Sequence, residues 1–293
     1  MNGARDDDPA FDVEVRLAAL YVHPIKSCGG IALDEALLIE TGLELDRAWM
    51  VVDAQGRFVT QRQVPRMALI QTALNAHHLL LRAPGLPAMS VPLDAVGAPR
   101  QVTVWNDEVA AFDMGHACAQ WFSDFLGRPL RLVRFDPANR RLASAQWTGT
   151  IEAAAAFSDE YPLLVTSQAS LDELNRRIIA TGGAPVTMQR FRPNLVLDGL
   201  DAHGEDHLDE VHFDTPEGPV RLKLVKPCAR CSIPDVDPAT AETGHAVGDA
   251  LAAYRADARL KGALTFGMNA VVVEGFECLL RRGLVGGATY RFD

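Results

Sequence analysis

Glycine and proline cut this chain into short apolar runs, and that punctuation limits its fold more than anything else in the sequence. There are 23 glycines and 17 prolines among 293 residues. The longest clear run, 13–22, places Val13, Val15, Leu17 and Ala19 in alternation with less apolar neighbours, the period-2 pattern of a strand. His23-Pro24 ends it, because proline lacks the N–H a ladder needs. Shorter β-like runs follow at 36–40, 48–53, 67–73, 78–81 and 101–105. Gly42, Gly56, Ala83-Pro84-Gly85 and Asn106-Asp107 separate them as turns. Further runs lie at 130–135, 163–166, 194–197, 220–225, 270–274 and 289–292.

Helical periods are few. Residues 115–126 put Cys118, Trp121, Phe122 and Phe125 on one stripe, with Gly127 as the stop and Pro129 beyond it. Residues 171–179 form a second helix, with Ser170 expected as its cap because Glu173 completes the capping-box spacing. Residues 244–254 carry a third helical pattern. Many short strands and few helices point to a β-rich α+β protein built from barrels or sandwiches. The length suits two domains. Residues 137–150 are polar and without a clear period, so the expected division is a flexible N-terminus at 1–12, a first domain at 13–135 and a second at 136–293.

Charge excludes some partners. With 28 basic and 38 acidic residues the formal net charge is −10. A general nucleic-acid binder needs a basic footprint, so binding to a nucleic-acid backbone is not expected, nor is an anionic membrane surface. No apolar run approaches the roughly 18 residues of a membrane span. The start, Met1 to Asp8, lacks the basic-then-apolar order of an export signal, and the expected location is the cytoplasm. Five cysteines in a chain this long do not make a disulfide scaffold.

Two of those cysteines carry the strongest chemical signal. Lys226-Pro-Cys-Ala-Arg-Cys231 stands at the end of a strand, where Pro227 is expected to keep the ladder from simply continuing. Thiolates beside Arg230 and Lys226 are stabilised by positive charge and bind soft metals. Structural zinc asks for about four ligands, and no second Cys-x-x-Cys or His-rich partner accompanies this pair. A thioredoxin-type dithiol lacks its βαβ setting. His23-Pro-Ile-Lys-Ser-Cys-Gly-Gly30 offers an ammonium, a hydroxyl and backbone N–H groups before a glycine pair, which suits a phosphate; a plain turn with an exposed lysine fits the same residues. Lys26, Arg47, Arg62, Arg192 and Arg230 together supply a cationic pocket in an acidic protein. The acidic and histidine-rich stretch from His203 to His212 reads as a solvated loop rather than a metal site. Walker, Gly-x-Gly-x-x-Gly and Gly-x-Ser-x-Gly motifs are absent.

Four motifs occur in a recognisable order: His23-Pro-Ile-Lys-Ser-Cys28, Asp46-Arg-Ala-Trp49, Arg190-Phe-Arg-Pro-Asn194 and Lys226-Pro-Cys-Ala-Arg-Cys231. In that order they resemble the MOSC-domain family of molybdenum cofactor proteins, most closely its amidoxime-reducing members and their bacterial relatives. The resemblance implies an N-terminal MOSC-type β-barrel domain followed by a MOSC β-barrel, with the cofactor in a cleft between them and Cys231 at its base. It implies that Cys231 ligates molybdenum and is the catalytic centre's protein ligand. It assigns Lys26, Ser27 and Arg47 to the pterin and its phosphate, and Arg192, Asn194, Ala229 and Arg230 to second-half contacts. Ser170 follows by the same resemblance, although capping already accounts for it. Relatives often carry serine where this chain has Ala229, so only the backbone N–H serves there. No iron–sulfur cysteine set is expected, so electrons would come from a separate ferredoxin, flavoprotein or cytochrome-type donor. The implied reaction is reduction of small N-hydroxylated compounds. A cofactor carrier or sulfur-transfer module bearing a persulfide is the alternative, and a metal-free ligand-binding barrel is a third reading.

Overall fold

The structure, a computed structural model, describes residues 11–292. Residues 1–10 of the expected flexible N-terminus, and Asp293, lie outside the described residues. Residues 11 and 12 are tied down, contrary to expectation. Asp12 donates its N–H to the Ala288 carbonyl at 3.0 Å and its carboxylate accepts from the Tyr290 N–H at 2.8 Å.

Seven strands close into a barrel in the order Leu163–Ser167, Leu195–Asp198, Val13–Val22, Val285–Tyr290, Leu208–Thr215, Gly218–Ala229 and Ala263–Glu274. The last pairs back to the first, Leu163 facing Ala270 and Val165 facing Met268. Alternation supplies the interior: Leu17, Leu20, Val22, Leu197, Leu222, Leu224 and Met268 are fully buried, with Val211 and Phe213 almost so. Each such side chain contributes about 1.5–3 kcal/mol by leaving water. Closure also removes the unpaired edges that an open sheet would expose. At the closing seam Gly267 has φ 76°, and a Cβ there would sit 2.7 Å from both Thr166 Cγ2 and the Val165 carbonyl oxygen. Only glycine fits.

The first half builds the remainder. Strands Trp49–Val52, Arg131–Phe135, Asp107–Asp113 and Ala98–Val104 form one sheet, and Gln71–Leu74, His78–Arg82 and Met89–Pro92 form another. The helix Gly115–Leu126 forms where its period predicts and packs Cys118, Trp121, Phe122 and Phe125 inward. Gly127 ends it at φ 71°, returning its N–H to the Ser123 carbonyl. The first strand, Val13–Val22, pairs at its end with Ile31–Leu33 of this half but takes its place in the barrel of the second, between Leu195–Asp198 and Val285–Tyr290. Among the described residues no helix is long and apolar enough to cross a membrane.

Several local expectations are corrected. The run at 67–73 splits into a 3-10 turn at Pro65–Leu69 and a strand at Gln71–Leu74, because Pro65 pre-sets a helical φ. At Pro227, as expected, the ladder does not simply continue. The ladder passes it by shifting register between Leu224 and Lys226 and again between Pro227 and Ala229, the bulges that accommodate a missing donor. The supposed solvated loop holds a barrel strand, Leu208–Thr215, whose charged residues face outward while Leu208, Val211 and Phe213 face the core. Ser167, not Ser170, caps the helix Gln168–Ala180, accepting from the Ser170 N–H.

Candidate functional site

The end of the first strand, the turn after Leu43, the Phe157–Tyr161 segment and the Ala229–Cys231 strand end converge on one cleft. It encloses about 980 Å³ of space including its mouth, and residues of both halves line it. Lys26, Ser27, Arg47, Arg192, Asn194, Ala229, Arg230 and Cys231, eight of the nine residues that the resemblance assigns, are among them, as is Arg62.

The buried end is cationic. Lys26 N–H bonds to the Trp49 carbonyl at 2.8 Å, and that main-chain bond fixes where the side chain starts. Its buried ammonium donates to the Phe157 carbonyl at 2.8 Å and to Asp159 Oδ1 at 2.7 Å. Burial pulls the Lys26 pKa down, and the Asp159 carboxylate works against that. Asp46 holds the next element: it accepts the His23 N–H at 2.7 Å and pairs with Arg47. Arg47 then reaches across the cleft, donating to Asn194 Oδ1 at 3.1 Å and to the Arg192 carbonyl at 2.9 Å. Arg192 crosses the other way and donates to the Cys28 carbonyl. Burial, then Arg47, lowers the Arg192 pKa to about 10.

Two features of this end call for a ligand. Ser27, Arg47 and Arg192 have φ of 67°, 48° and 57°, three of nine non-glycine residues with positive φ among the described residues. Such positions cost roughly 1–3 kcal/mol each and cluster where a site over-determines the backbone. Arg192 Nη2 and Ser158 Oγ are buried donors with no partner, as is Arg230 Nε toward the other end of the cleft, and buried polar groups are normally satisfied. Adjacent cations with spare donors fit an oxyanion such as a phosphate.

The open end carries sulfur. Arg230 spans the strand end, with Nη1 3.0 Å from Cys228 Sγ and Nη2 donating to the Phe191 carbonyl at 2.9 Å. Cys228 is half-buried and Cys231 exposed. Cys231 therefore stands at the cleft's accessible side, whereas the sequence reading set it at the base. Buried cations and an accessible soft ligand are the donor set that a phosphate-bearing, metal-bearing pterin dithiolene requires. Among the described residues no group of three or more His, Cys, Asp or Glu side chains is arranged to hold a metal ion, so a metal here depends on one thiolate plus ligands from a cofactor.

Ser170 is not part of this site. It is fully buried, donates to Glu205 Oε2 at 2.7 Å and accepts the His203 N–H at 2.8 Å. Sequence reasoning missed Ser158, Asp159, Glu160 and Asn269, which line the cleft. Polar Ser158-Asp-Glu160 between buried Phe157 and Tyr161 was the available signal.

A model of the MOSC N-terminal beta barrel domain matches residues 14–129, and one of the MOSC domain matches residues 152–283. The chain belongs to the MOSC-domain family. This MOSC protein is 36% identical over 233 residues to human mitochondrial amidoxime-reducing component 1, a match covering 76% of this chain and 67% of that one. Human mitochondrial amidoxime reducing component 2 is 33% identical over the same shares. Human molybdenum cofactor sulfurase is 30% identical over 254 residues, covering 80% of this chain and 28% of the sulfurase. MOSC relatives of this chain are thus associated with the molybdenum cofactor and with amidoxime reduction. The amidoxime-reducing ones are mitochondrial by name, whereas the cytoplasm was expected from sequence alone.

Proposed function

We propose that this MOSC protein is a molybdenum cofactor-dependent oxidoreductase that reduces N-hydroxylated compounds, taking electrons from a separate redox protein. The observation that carries the reading is the cleft's polarity: unpartnered buried donors around Arg192 at one end, accessible Cys231 at the other. The similarity to amidoxime-reducing components supports the reaction class. Overall, N–OH, two electrons and two protons give N–H and water. The bound cofactor supplies the two-electron metal chemistry.

The chain's own residues bind and orient. Lys26, Arg47 and Arg192 neutralise the cofactor's anionic end, and Asn194 fixes the Arg47 guanidinium. Ser27 and Ala229 offer main-chain groups at the wall; Ala229 has no hydroxyl to add. Cys231 supplies the soft ligand, and Arg230 holds the strand end that carries it.

The test is to purify the protein from a molybdenum-replete host, count molybdenum per chain, and assay benzamidoxime reduction with an artificial electron donor. About one molybdenum per chain with turnover, both lost in Cys231→Ala, supports the reading. Bound cofactor without reduction would favour the carrier or sulfur-transfer role, to which accessible Cys231 and the sulfurase similarity also lend support. Absence of molybdenum would end both.

A further inference from the structure

Trp105 sits where tryptophan is least expected. It is the first of two residues joining strands Ala98–Val104 and Asp107–Asp113, with Val104 paired to Asp107, and its φ is 55°. Two-residue hairpins of this kind favour Asn, Asp or Gly, and a bulky residue at positive φ is an outlier. Its ring is nonetheless held from three sides. The indole N–H donates to Asp159 Oδ1 at 3.1 Å, Phe58 lies 5.2 Å away at a tilt of 58°, and the Arg62 guanidinium stacks at 4.5 Å from the ring centre. Trp105 remains 48% exposed.

Arg62 and Asp159 both line the cleft. Arg62 has no ion pair within 4 Å among the described residues; its guanidinium lies over two rings, Phe58 being 5.9 Å away, and its charge acts on the Asp159 carboxylate. Depth separates it from the other cations. Lys26 is 5% exposed and Arg47 and Arg192 cross-link the two halves, so the anionic cofactor is accounted for at the buried end. Arg62 lines the cleft, and Trp105, 48% exposed, backs it from a neighbouring hollow that Phe58 also lines. A guanidinium held over an indole is a planar cationic group, and flat conjugated groups stack on such a group.

We propose that Arg62, backed by Trp105 and Phe58, is a stacking plate that selects flat, conjugated N-hydroxylated substrates over aliphatic ones. This rests on the function proposed above. Asp159 tethers the plate to Lys26, accepting from both the indole and the ammonium. Phe58 continues the contact inward, lying 5.6 Å below the Lys26 ammonium.

Benzamidoxime and acetamidoxime share the reacting group and differ in the ring, so the ratio of their kcat/KM values isolates the plate and cancels common losses of cofactor or fold. Trp105→Ala and Arg62→Lys are expected to reduce that ratio roughly tenfold, the scale of one partly desolvated stacking contact. Trp105→Phe should keep it within about threefold, since a ring remains to back the guanidinium. An unchanged ratio in Trp105→Ala and Arg62→Lys would overturn the plate while leaving the proposed reaction intact. A second readout does not need turnover: benzamidoxime, titrated without an electron donor, should change the tryptophan emission of the wild type and not that of Trp105→Phe. If the wild type reduces neither substrate but this difference is seen, the plate stands and the reaction falls. No difference in emission refutes the plate.

Discussion

Arg47 and Asn194, 147 positions apart in sequence, meet at 3.1 Å, Nη1 donating to Oδ1. The same Asn194 oxygen accepts the Leu164 N–H at 3.1 Å, and its amide nitrogen donates to the Tyr21 carbonyl at 3.3 Å. One buried amide thus joins the first strand, the barrel seam and the cationic floor of the cleft.

Asn194→Ala should therefore be costly. It leaves buried groups on Arg47, Leu164 and Tyr21 without their partner, a loss of about 2–3 kcal/mol. Urea unfolding at constant m-value measures it. A loss under 1 kcal/mol would mean that water replaces the amide.

Cys231→Ser should leave thermal stability nearly unchanged, because the side chain is exposed, yet molybdenum should fall below about a tenth per chain once the soft ligand is gone. Cys228→Ala should retain most of the metal and lower activity less. Metal analysis alongside a melting curve separates the two; equal metal loss in both variants would assign them equal roles.

Ser170→Ala tests the correction made by the structure. The hydroxyl serves Glu205 and the Ser167 cap, so its removal should cost about 1–3 kcal/mol while molybdenum per folded chain stays at the wild-type level. Loss of cofactor with retained stability would return Ser170 to the site.

Stability should fall as pH drops from about 6.5 to about 4. Burial and then Arg255 lower the His203 pKa from 6.5 to about 4. Burial, followed by Arg192 and Arg47, lowers that of His23 too. A histidine with a depressed folded pKa binds its proton more readily in the unfolded chain, so its contribution is complete above the ordinary value and lost below it. For half-buried His203 the loss is about 2 kcal/mol after solvent screening. His203→Asn, which tolerates the residue's φ of 63°, should flatten the profile between pH 7 and 5. An equal slope in wild type and variant would assign the effect to other groups.

What was legible in the sequence depended on how local the cause is. The strand Val13–Val22 and the helix Gly115–Leu126 were readable because a period and a terminator sit side by side in each. Leu208–Thr215 was not, because Asp209, Glu210, His212 and Asp214 dominate its composition and a register shift between Leu208 and Glu210 breaks its alternation. Lys26, Arg47, Arg192 and Cys231 stood out through motifs. Ser158 and Asp159 did not, since their place in the cleft is set by contacts far away in sequence: Lys26 on Asp159, and Arg141 on the Ser158 and Asp159 carbonyls. Trp105 was visible only as the end of the run 101–105, and its φ and its Arg62 partner belong to tertiary structure alone.

The position of Val13–Val22 inside the barrel has a consequence for how the molecule comes into being. Both its barrel neighbours, Leu195–Asp198 and Val285–Tyr290, are made long after it. Until they emerge, the strand has only its local partner Ile31–Leu33, so the barrel closes through long-range pairing of the kind that folds slowly. A fragment beginning at residue 136 would lack that stave, leaving the edges of Leu195–Asp198 and Val285–Tyr290 open to any chain that can fill them.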